Sequence, residues 1–246
     1  MKIRNWQLAL GVLLLALSAL ISVIHYAIFR DSYHIAYYLL LDIAFVPIEI
    51  LLVTIILHEL LSAREKRSML KKLNMVIGAF FSEVGAMLLA LFFAYDADAE
   101  GIRTELAAVG GWTENDHTRM SERLGSHTFD IDRDKADLRT LQGFLMARRD
   151  FLLRLLENPN LLEHEEFTEM LWAVFHLTDE LAFRTDVDHL PDSDRKHLAG
   201  DMKRAYVLIV QEWLAYMGHL KREYPYLYSL SMRTNPFNPD ASPVVV

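Results

Sequence analysis

Asp42 and Glu49 lie seven residues apart inside a long apolar run, a spacing of two helical turns that puts both carboxylates on one face. Acids are costly in a hydrocarbon environment, about 2.5 kcal/mol or more for Asp at mid-helix, so they usually face a cavity, an ion path or a partner. The chemistry this pair offers is cation handling: two acidic rings lining a path in a symmetric oligomer, with Pro47 bending the helix between them. A structural role is the competing reading. Either acid could sit near an interface, carry a proton, or bond to His25 or Ser22 of the preceding apolar run, where Gly11, Ser18 and Ser22 form a small-residue face. No TVGYG-type selectivity filter occurs, so a potassium pore of the usual kind is not expected.

A second constellation lies further on, where Glu165, Glu169, Trp172, His176 and Glu180 fall within about 80° of one helical face. Glu212 and His219, seven apart on a later helix, could face Glu169, His176 and Glu180 across a bundle and hold a divalent metal with mixed O and N ligands. The E-x-x-H pairs of di-iron bundles are absent, and Arg148, Arg149 and Arg184 could equally neutralise the face, so an ion-paired surface is the default. Asp130, Asp132 and Asp134 resemble the opening of a calcium loop, but Lys135 and Leu141 stand where an EF-hand needs Gly and Glu. Asp186, Asp188, Asp192 and Asp194, with His189 and His197, read as a charged loop with Asp192 capping a helix.

The chain has no cysteine, which removes thiol catalysis, disulfides and iron–sulfur clusters. No hydrolase triad motif and no Gly-rich phosphate loop appears, so no catalytic residue is assigned and no cofactor is expected beyond that divalent metal.

The elements that must position these groups are helical. Leu8 to Phe29 holds 22 residues without Asp, Glu, Lys or Arg, enough to cross about 30 Å of hydrocarbon, and Ile35 to Leu57 is of similar length. Lys2 and Arg4 before the first run, and Arg64, Lys66, Arg67, Lys71 and Lys72 after the second, place both flanks in the cytoplasm by the positive-inside rule. This predicts a two-helix transmembrane hairpin, and a cleavable signal peptide is the weaker alternative because the first run exceeds an ordinary h-region. A third apolar stretch, 73–95, could be another span. The basic residues directly before it favour a helix packed against its own domain or against sister subunits, with Gly78 and Gly85 on a face that permits close packing.

Beyond it the pattern is helical throughout, giving an all-α protein whose hairpin precedes a cytoplasmic helical bundle. One helix is expected over 134–157, stopping at Asn158-Pro159, and a second is capped by Asn160 with Glu163. The longest has a heptad-like seam of Met202, Tyr206, Ile209, Trp213, Tyr216 and Leu220. Thr113 and Asp116 cap a shorter helix. The expected divisions are 1–60 for the hairpin (spans 8–29 and 35–57), 61–98 for a basic collar and long apolar helix, 99–232 for an acidic helical domain, and 233–246 for an extended tail.

Residues 1–72 hold 8 Lys and Arg against 5 Asp and Glu, net +3, and the remainder of the chain's 25 and 33 gives residues 73–246 a net charge of −11. Such a domain is a poor nucleic-acid binder and suits cations or a basic protein partner.

The segments KLNMVIGAFFSEVG at 72–85, FLLRLLENPNLLEHEEFTEMLWAVFHL at 151–177 and SMRTNPF at 231–237 resemble an uncharacterised bacterial membrane-protein family, over most of the chain. The resemblance implies two spans, a helical cytoplasmic domain and a bacterial inner membrane, and brings no known activity. Three functions therefore compete: a homo-oligomeric cation channel in the bilayer, an anchored adaptor without conduction, and a metal-binding bundle.

Overall fold

The computed structural model describes residues 5–30, 32–107, 112–127, 129–159, 161 and 164–245. Among them the chain is helical with no strand, and it divides into two compact units, Met1–Lys66 and Arg67–Val246.

In the first unit, α1 (Asn5–Phe29) is followed by the opening part of α2 (Ser32–Phe80). Both helices are long and apolar enough to cross a membrane by length and composition. From Gly11 to Lys66 every side chain whose burial is described is exposed, apart from the half-buried His25. At the end of α1 the Arg30 N–H donates to the Tyr26 carbonyl oxygen at 2.9 Å, and Arg30 takes the left-handed conformation, φ 53°, that stops the helix. Pro47 lies inside α2 and cannot donate the intrahelical bond to the Ile43 carbonyl.

The second unit has a single core. Its first part is the end of α2, a π-helical turn (Phe81–Gly85) and α3 (Ala86–Tyr95). Leu73, Ile77, Phe80, Phe81, Val84, Leu88, Leu89, Phe92 and Phe93 are all buried there, so the third apolar stretch packs within its own domain. Gly85 is required in the π turn, because a Cβ would stand 2.6 Å from Phe81 Cδ1 and 2.7 Å from Phe80 Cε1.

After α3 come α4 (Glu100–Ala107), α5 (Glu114–Ser126), α6 (Leu138–Leu156), α7 (Glu165–Ala182), α8 (Asp192–Glu223) and α9 (Pro225–Arg233). The central member is α8, on which α3, α5, α7 and α9 pack. Its expected seam is buried from Met202 to Leu220 except for the half-buried Tyr216, which stacks on Phe81 at 5.3 Å. Thr113 and Asp116 form the expected capping box of α5.

Several expected boundaries differ. The Asp130–Asp134 segment is a turn clamped to the end of α3. Ile131 bridges Asp96, the Asp132 N–H donates to the Tyr95 carbonyl at 2.9 Å, and Asp137 caps α6, so that helix opens at Leu138 rather than 134. The cap of α7 is His164, whose Nδ1 accepts the Phe167 N–H at 3.1 Å; the expected capping pair Asn160 and Glu163 lies outside the described residues. Asp192 is the first residue of α8, not its cap, and accepts from Arg133 at 2.7 Å. The expected extended tail is docked at its start. Asn235 and Phe237 are buried, with the Phe237 ring edge-on to Phe93 and Trp213, because an aromatic side chain there fills the end of the core.

Candidate functional site on the α7–α8 hairpin

Helices α7 and α8 are neighbours joined by the loop 183–191. Gln142 of α6 ties down the start of that loop by donating to the Leu181 and Arg184 carbonyls at 2.7 and 2.8 Å. Arg149 pairs with Asp179 at 3.1 Å, and Arg139 with Asp188. These contacts hold the end of α7 and the loop leading to α8 against α6.

Each carries a His and an acid four residues apart, and so on one face: His176 and Glu180 on α7, His197 and Asp201 on α8. These faces meet. His176 Nε2 lies 3.8 Å from Glu180 Oε1 and 3.7 Å from Asp201 Oδ2, while His197 Nε2 lies 3.7 Å from Glu180 Oε2 and 3.3 Å from Asp201 Oδ2. The ligand atoms of His176, Glu180 and Asp201 all fall within 4.8 Å of one another. The Asp201 side chain is only 5% exposed, and its Oδ2 has no hydrogen-bond partner. The imidazoles are half open to solvent.

Two arginines frame the cluster. Arg184 donates to Glu180 Oε2 at 2.7 Å and grips Asp194 through two bonds of 2.7 Å. Those hydrogen bonds hold the carboxyls of Glu180 and Asp194 below the usual carboxylate range, and they push the guanidinium further up. Arg204 stands 3.4 Å from Asp201 Oδ1.

The other residues expected at a metal site are not here. Glu169 is exposed on α7. Glu212 and His219 line a separate cavity of about 630 Å³ with His164, Lys71 and Asn74. Burial pushes the Glu212 carboxyl up to about 7, with the nearby Glu166 charge adding to the effect. Burial likewise pushes His219 down, and its Nε2 has no hydrogen-bond partner. A second, more apolar cavity of about 800 Å³ also reaches His219, between Tyr216 and Leu230. The physical reason for the separation is register. Glu212 meets the N-terminal turn of α7, whereas His176 and Glu180 occupy its C-terminal half and so meet the start of α8.

Asp201 is the residue that sequence reasoning missed, and His197, read from the sequence as part of a charged loop, lies instead on α8 beside it. Their signal was the repeated H-x-x-x-[DE] spacing, obscured by the acidic loop just before it.

In the first unit Asp42, Pro47 and Glu49 are exposed along α2. The Ser22 hydroxyl donates to the Ser18 carbonyl at 3.0 Å on its own helix, and a Cβ at Gly11 would meet nothing within 4 Å. In the second unit Gly78 lies against Tyr216, whose hydroxyl oxygen would be 2.8 Å from an added Cβ.

The elements define an all-helical protein of two successive helical domains. Comparison with known proteins gives the same division: residues 2–61 match the N-terminal helical domain, and residues 69–233 the C-terminal helical domain, of uncharacterized protein MJ1433. The chain belongs to this family. It is 45% identical over 238 residues to uncharacterized protein MJ1433 of Methanocaldococcus jannaschii, covering 97% of this chain and 96% of that one. The relative is archaeal, where the sequence had pointed to a bacterial family. No solved structure matches the chain.

Proposed function

We propose that the chain is an oligomeric membrane protein in which the two apolar helices form a bilayer hairpin and the acids of α2 handle a cation, with the folded domain on the cytoplasmic side. The observation that carries this reading is the exposure of α1 and the first part of α2. Large apolar side chains from Val12 to Leu61 stand open. At about 1.5–3 kcal/mol for each Leu, Ile, Val or Phe left in water, such a surface must be covered by lipid or by other copies. Asp42 and Glu49 lie within it two turns apart, next to the backbone carbonyl that Pro47 leaves unbonded. Sister copies facing one another with these acids would give them water or a cation instead of hydrocarbon. No catalytic role is assigned.

The second reading is an anchored adaptor without conduction, its domain presenting an acidic surface to a basic protein. It is favoured by the net charge of −11 on residues 73–246 and by Trp172 and Phe183, exposed at either end of the second half of α7.

The deciding experiment is reconstitution of the full chain into liposomes loaded with a cation-sensitive dye. Cation flux that falls about tenfold or more in both Asp42→Asn and Glu49→Gln supports the cation path. Protein that inserts, yet is as tight as empty vesicles, removes conduction and leaves the adaptor.

A further inference from the structure

We propose that His176, Glu180, His197 and Asp201 form a binding site for a divalent first-row transition-metal ion of the Zn²⁺ type. The inference stands on the α7–α8 geometry alone and is independent of any role for α1 and α2.

Three observations lead to it. The first is the donor set. Two imidazole nitrogens and two carboxylate oxygens make an N₂O₂ site of the kind that zinc and its neighbours accept. The second is spacing. Metal–ligand bonds of about 2.1 Å put the corners of a tetrahedron about 3.4 Å apart; the ligand atoms of His176, Glu180 and Asp201 lie within 4.8 Å of one another, and His197 Nε2 stands 3.3 Å from Asp201 Oδ2. Closing these atoms onto an ion calls on rotation of the two half-open imidazoles.

The third observation separates a metal site from an ion-pair network. Were the cluster complete in itself, the imidazoles would donate to the carboxylates at hydrogen-bond length, about 2.7–2.9 Å for charged pairs. Instead the Nε2 atoms stand back at 3.3 and 3.7 Å from Asp201 Oδ2, which is buried and accepts no hydrogen bond. Buried carboxylate oxygens in that condition are rare and call for a ligand.

The surroundings fit a dication. Glu180, Asp194 and Asp201 carry three negative charges against the two of Arg184 and Arg204, so with neutral imidazoles the pocket keeps a net charge of −1. Arg184 holds Glu180 through Oε2 and leaves Oε1 directed at His176, while Arg204 approaches Asp201 through Oδ1 and leaves Oδ2 free. Each arginine thus orients one ligand from behind, as outer-shell partners of metal sites do. Because α7 and α8 are packed along their lengths, the four ligands need little ordering on binding.

The test is titration of untagged, chelator-stripped full-length protein in detergent with ZnCl₂ by calorimetry, and with CoCl₂ by visible absorption. One ion per chain is expected, with the intense absorption of tetrahedral Co²⁺. His176→Ala, His197→Ala and Asp201→Asn should each weaken binding about tenfold or more, and the exposed Glu169→Gln should leave it unchanged. Zn²⁺ should raise the unfolding temperature of the wild type and of Glu169→Gln but not of the three variants, and His176→Ala serves if Asp201→Asn fails to fold. Absence of stoichiometric binding, or binding that survives both His176→Ala and His197→Ala, overturns the proposal and leaves an ion-pair cluster.

Discussion

The Asn235 side-chain amide donates to the carbonyl oxygen of Leu106 at 2.9 Å, joining residues 129 apart in sequence at a point where Asn235 is 1% exposed. The same side chain accepts the Phe237 N–H through Oδ1 at 3.0 Å, so one asparagine closes the end of α4 and turns the chain after α9 into the core. Asn235→Ala strands a buried carbonyl and a buried N–H and should cost about 2 kcal/mol. Urea unfolding of the full chain measures it, and a change under about 0.5 kcal/mol would show that the tail is held by the Phe237 ring alone.

Glu212 makes stability depend on pH with a definite sign. Its carboxyl titrates near 7 in the fold against an ordinary 4.5, so between those values the folded state keeps a proton that the unfolded chain has lost. Stability therefore falls as pH rises through this window, by about 3 kcal/mol in total. His219, pushed down by burial, acts oppositely, losing stability as pH falls through its ordinary value of 6.5. Comparing wild type with Glu212→Gln isolates the acid. The variant's advantage should grow from pH 4.5 to 7 and then level off, and a constant difference across that range would contradict the assignment.

Arg184 gives an acid-sensitive counterpart. Glu180 and Asp194 are held below their ordinary values by its hydrogen bonds, so the stability they lend is present above those ordinary values and disappears as pH falls through the depressed ones. Arg184→Gln should destabilise by about 1–2 kcal/mol at pH 7, for a pair of partly buried bridges. The deficit should shrink toward acid pH. Denaturation curves at pH 7 and pH 3 that keep the same gap would refute it.

Two glycines should respond differently to the same methyl. At Gly85 the new Cβ meets two buried aromatic rings, so Gly85→Ala should cost about 1–3 kcal/mol as an overpacked core position. At Gly78 it meets the far end of Tyr216, which is only half-buried and can tilt away, so Gly78→Ala should cost less. Thermal unfolding of both variants ranks them, and a reversed order would mean that the π turn yields more readily than the tyrosine.

The helical class and the α8 seam were legible because each is written as local periodicity, and the packing of 73–95 because basic residues stand directly before it. Leu, Phe and Met recur at three and four residues, and the few breaks coincide with Pro or Asn-Pro. The cluster on α7 was half legible for the same reason. His176 and Glu180 are one turn apart, but which residues of α8 they meet depends on where the 183–191 loop reverses the chain. The loop is held by tertiary contacts of Gln142, Arg139 and Arg149 from α6, none of which has a sequence pattern. Glu212 and His219 were plausible in type but sit too far along α8. The docking of Asn235 and Phe237 was hidden for a similar reason: a segment rich in Pro and Asn gives no period by which a buried ring can be foreseen.

The π turn at Phe81–Gly85 works as a gear in the longest apolar segment of the domain. It holds one residue more than an α turn would, so α3 emerges rotated by about 100° relative to an unbroken continuation of α2. With that offset Leu88, Leu89, Phe92 and Phe93 are the side chains buried in the core. Losing a single residue from 81–85 would leave an apolar helix of much the same composition and hydropathy, yet would turn a different set of its side chains toward α8. At this point in the chain the number of residues is as much a determinant of the fold as their identity.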